Sequence, residues 1–73
     1  MTTRFVVQGR VVKWHSGRIV RDEVRSAETD TRDKALRTAR GFAEQGLTVW
    51  IFQLRHGTGI APVYQLVHRE DGH

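Results

Sequence analysis

Eight residues, LTVWIFQL at 47–54, constrain the fold of this chain more than any other stretch. Valine, isoleucine and aromatic side chains dominate it, which is the composition of a strand. Side chains alternate across a strand, so Leu47, Val49 and Ile51 point one way and Trp50, Phe52 and Leu54 the other. Both faces are apolar. Whatever else the chain forms must keep two faces of this strand from water.

Only one cover is visible. Ala35, Leu36, Ala39, Phe42 and Ala43 recur at the spacing of a single helical stripe. Thr31 is the expected N-cap, with Asp30 the alternative, because a short polar side chain there can accept from the free amides of the first turn. Asp33 sits in that turn, where negative charge suits the helix dipole. Asp33 with Arg37, and Arg40 with Glu44, are oppositely charged at the i,i+4 spacing. Gly46 ends the helix, since glycine takes a left-handed conformation without steric penalty. Gly41, inside the helix, costs about 1 kcal/mol against alanine and leaves room for a close neighbour. One helix covers one sheet face, so the second face of the strand needs another partner.

The remaining elements follow from alternation and turn chemistry. Residues 4–14, RFVVQGRVVKW, read as a strand with two mostly apolar faces, which suits the middle of a sheet. His15, Ser16 and Gly17 supply a turn. Residues 18–26 form a second strand, thick with charge as an edge strand should be, and 27–30 a short loop into the helix. HGTGIAP at 56–62 is a hairpin loop, VYQLVHR at 63–69 the last strand, and 70–73 a polar tail expected to fray. The order is ββαββ, an α+β domain spanning 1–73. The two most apolar strands belong in the centre, which predicts a four-stranded antiparallel sheet in the order 2-1-3-4 with the helix on one face.

That arrangement sorts the side chains. Leu47 tucks under the helix end. Val49, Ile51, Phe5, Val7 and Val11 face the helix, and Gly9 lets it approach. If Gln53 pairs with Gln65, Val63 and Val67 also point inward. Trp14, Trp50, Phe52, Leu54, Tyr64 and Leu66 then line the outer face, with Val12 and Arg10 among them. Monomers rarely expose more than a few hundred Å² of contiguous apolar surface. A second copy packed sheet to sheet would cover it and give a 73-residue chain the core that its length denies it.

The charge suggests a different partner. The net charge is +4, and ten of the twelve basic residues are arginine, a bias that points to a bacterial or phage genome of high G+C content. Arg4, Arg10, Lys13, Arg18, Arg21 and Arg25 concentrate the excess on the first hairpin. A basic hairpin beside exposed aromatics is the composition of a nucleic-acid platform, with arginines on phosphates and bases stacked on rings. No RNP-like motif supports it.

Chemistry is harder to find. His15, His56, His68 and His73 have no second ligand at a recognised metal spacing. Asp22 and Glu23 are adjacent on a strand and face opposite sides. The glycines of HGTG lead to Pro62 and a strand, whereas a phosphate loop leads into a helix. Ser16 and Ser26 lack a neighbouring base. There is no cysteine, hence no disulfide and no thiolate metal site. No run is long enough to span a membrane and no signal peptide is visible, so the expected setting is cytoplasmic. The sequence therefore predicts a protein-interaction or structural module, a binder and not an enzyme, with no cofactor. Homodimerisation through the open sheet face is the leading mode, and nucleic-acid binding the alternative.

Overall fold

The computed structural model describes residues 4–55 and 63–72. The first hairpin joins β1 (Arg4–His15) to β2 (Arg18–Thr29) through a two-residue turn. Ser16 (φ 51°) and Gly17 (φ 76°) both take positive φ, the type I′ geometry whose twist matches that of the flanking strands. His15 pairs with Arg18 and Trp14 with Ile19, but Lys13 pairs with Arg21. Val20 is thus an extra residue, a β-bulge near the tip. β2 runs to Thr29, past the strand end expected at 26, because β1 is extended from Arg4 onward and its first residues need a partner. Ala27 lies opposite Val7 and Thr29 opposite Phe5.

Helix α1 (Arg32–Glu44) starts as the sequence predicts. The Thr31 hydroxyl accepts from the Lys34 amide at 3.3 Å. Asp30 is not the cap; it forms the i,i+4 ion pair with Lys34 at 3.1 Å. The pairs Asp33–Arg37 and Arg40–Glu44 are not made among the described residues. At the other end, Gly46 (φ 90°) donates to the Ala43 carbonyl at 3.0 Å and Leu47 to the Phe42 carbonyl at 3.1 Å. These two bonds form a Schellman motif, and Phe42 and Leu47 are its apolar pair.

After the cap, β3 (Thr48–Arg55) pairs antiparallel with β1, and β4 (Val63–Glu70) with β3. The sheet order is β2-β1-β3-β4 with one helix packed on it, the predicted ββαββ topology. The expected loop at 56–62 lies outside the described residues.

The core is the layer between helix and sheet: Phe5, Val7, Val11, Ala35, Ala39, Ala43, Leu47, Val49 and Ile51, with no buried polar side chain among the described residues. The helix contributes only alanines at its centre, so it lies close to the strands. Gly9 is where this closeness bites. A β-carbon there would sit 3.0 Å from Leu47 Cδ2 and 3.3 Å from Phe42 Cδ2. Gly41, by contrast, has open space beside it, and no close neighbour uses its missing side chain. Gln53 does pair with Gln65, but only one of the two valines expected inward is packed. Val67, at a bulge between Leu66 and His68, packs on the core margin, whereas Val63 is 60% exposed. The helix rests chiefly on β1 and β3 and only its margin reaches β4, so among the described residues the helix does not cover Val63. Within the segment 70–73, β4 continues to Glu70, Gly72 lies against the backbone of Gly46 and Leu47, and His73 lies outside the described residues.

Two strand lengths set the shape. β1 pairs with β3 over 4–10 only, but with β2 as far as His15. Beyond Arg10 the hairpin continues as a two-stranded ribbon, an arm projecting from the sheet. The molecule measures 51 × 24 × 14 Å. Its radius of gyration is 14.3 Å, against about 11 Å for a compact chain of this length. Among the described residues no helix is long and apolar enough to cross a membrane.

Candidate interaction face

The outer face is built in rows by the strand register. Glu28, Val6, Phe52 and Leu66 form one row across all four strands. On one side of it Arg4, Leu54 and Tyr64 form the next; on the other lie Ser26, Gln8 and Trp50. Trp50, Phe52 and Leu54 are half-buried among themselves, while Tyr64 (57%) and Leu66 (49%) are open to water. These five residues and Val6 form one continuous apolar surface, and no part of the chain described here covers it. A shallow depression of about 460 Å³ runs beside it, lined by Val6, Gln8, Ser26, Glu28, Phe52 and Tyr64.

Trp14 does not belong to this patch. Gln8 is the residue opposite Trp50, and Trp14 is six positions further along β1, about 20 Å away at the rise of an extended strand. It lies on the arm, 65% exposed, opposite Ile19. Val12 on β1 and Val24 on β2 stand between the two patches, with Arg10. Reading β2 only as a charged edge misses Val24 and Ile19. Val24 was legible from alternation with Ser26 and Glu28. Ile19 was not, because the bulge at Val20 decides which way it faces.

The basic residues do not form one surface either. Arg4 and Arg10 alternate onto the outer face, where Arg4 stands 3.9 Å from Glu28. Lys13, Arg21 and Arg25 alternate onto the helix side. Arg18 sits at the turn, opposite His15. Arg21 is committed to the fold: its guanidinium donates to the Gln45 carbonyl at 2.7 Å and to Glu23 Oε2 at 3.1 Å. The last turn of α1 contains no cation of its own, so β2 supplies the positive charge that the helix C-terminus favours. The hydrogen bond from Arg21, aided by its charge and that of Arg25, holds the Glu23 carboxyl below the usual range. The hydrogen bond from Lys34, then one from backbone, does the same for Asp30.

Candidate chemistry stays scattered. His68 stands 3.7 Å from Glu70 on β4, and His15 is at the first turn; His56 and His73 lie outside the described residues. No group of three histidine or carboxylate side chains converges as a metal site among the described residues. Comparison with known protein families, with curated proteins and with solved structures gives no match.

Proposed function

We propose that this chain is a non-enzymatic interaction module that works as a homodimer, with the outer faces of two sheets packed on each other. The observation that carries the reading is the uncovered apolar face. The face also carries both signs of charge, Arg4 and Arg10 with Asp22 and Glu28, which suits contact with a copy of itself better than contact with a polyanion. Nucleic acid is the competing occupant, and the division of the basic residues between two faces counts against it.

Light scattering at several concentrations tests the reading. The wild type should be heavier than one chain, and Trp50→Glu should halve the mass. Fully burying a large apolar side chain is worth about 1.5–3 kcal/mol, and a buried unpaired charge reverses it. Lys34→Ala, on the far side of the helix, should leave the mass unchanged. A folded wild-type monomer at high micromolar concentration would sink the proposal. Oligonucleotide binding that weakens steeply with salt would then give the face to nucleic acid.

A further inference from the structure

The sheet has two free edges, and they differ. β2 is guarded: six of its twelve residues are charged and Val20 bulges out of register. Those are the devices that keep an exposed strand from pairing with another chain. β4 is bulged as well, at Val67, so charge is what separates the two edges: its first five residues, VYQLV at 63–67, carry none. Val63 (60%), Tyr64 (57%) and Leu66 (49%) are all open to water, and among the described residues nothing lies along the edge.

We infer that the free edge of β4 pairs antiparallel with β4 of a second copy, on a two-fold axis through Gln65. The segment reads alike in both directions from that residue: a large apolar side chain one position away on either side, a valine two positions away. An antiparallel copy centred there sets Tyr64 against Leu66 of the other chain on the outer face. On the helix side it brings Val63 toward Val67, the bulged residue at the core margin. Cross-strand apolar pairs of this kind are the unit of sheet stabilisation. Centring on Leu66 instead opposes Gln65 to Val67 and Tyr64 to His68, and the match is lost. The palindrome is met by the same strand run backwards, so the occupant is a second copy. Val63, uncovered by a helix that leans away from β4, gains its neighbour in this way.

This contact goes beyond face-to-face pairing and is independent of it. Its axis is perpendicular to the sheet, while that of stacked sheets lies in the sheet plane. Where the two axes meet, using both closes the assembly at four chains. Edge pairing also joins the outer faces of two copies into one wider apolar surface.

The chain has no cysteine, so a single introduced thiol reports the contact. Gln65, on the axis, faces itself. Under mild oxidation, Gln65→Cys should cross-link at least about tenfold faster than Arg25→Cys on the guarded edge, because pairing raises the effective thiol concentration. The advantage should persist in a Trp50→Glu background, which removes the sheet face but not the edge. In a second experiment, Gln65→Lys and Gln65→Glu chains should each lose half the wild-type mass, and an equal mixture should regain it. Cross-linking at the control rate, or a Gln65→Lys chain that keeps the wild-type mass, overturns the inference.

Discussion

Arg21 joins the second strand to the end of the helix, and its loss should be read in two ways. Arg21→Met removes a cation from a helix C-terminus, worth about 1 kcal/mol in a partly buried setting, and should lower the thermal midpoint by several degrees. It should also change the acid limb of the stability curve. The Glu23 carboxyl is held below its ordinary value in the folded chain, so its contribution is present above the unfolded value and lost as pH falls through the folded one. Without Arg21 that part of the acid dependence should flatten, while the part due to Asp30 and Lys34 remains. Urea titrations of both proteins across the carboxylate range check this. A parallel shift of the two curves with no change in shape would contradict the assignment. None of this was legible in the sequence. Arg21 reads there as one more base on a basic hairpin, and only the register brings it to Gln45.

At the scale of elements, the helix shows what local signals can carry. Thr31, the alanine stripe and Gly46 are all local, and each does what its chemistry predicts. Gly46→Ala should cost about 1–2 kcal/mol, because alanine must enter the left-handed region at that position. The helix itself should survive by circular dichroism, and a stability equal to wild type would argue against the Schellman end. Strand order was legible for a similar reason: the two strands with apolar residues on both faces had to be central. What could not be read was non-local. The last residues of β2 look like a loop until the register sets Ala27 to Thr29 opposite Phe5 to Val7. The bulges at Val20 and Val67 depend on register, not composition. For the candidate face, Trp50, Phe52, Leu54, Tyr64 and Leu66 were placed together by alternation alone. Trp14 was misplaced because alternation gives the face of a strand but not where its neighbour stops.

On the scale of the whole molecule, the arm is the feature that separates shape from core. Trp14 is exposed and far from the buried layer, so Trp14→Ser should leave the stability of a dissociated chain within about 0.5 kcal/mol. A larger loss in dilute urea titrations would mean that the arm folds back. If the arm reaches across a partner, the same change should weaken association in sedimentation experiments. The sheet order has one more consequence, and it concerns time. The two central strands are the first and fourth elements in the chain, with β2 and the helix between them. As the chain is synthesised, Phe5, Val7 and Val11 emerge early and can find only charged β2 beside them. Their cover, the alanine stripe and then Val49 and Ile51, arrives later. Until β3 is made, β1 is paired on one side only, and stability comes when β3 slots in beside it.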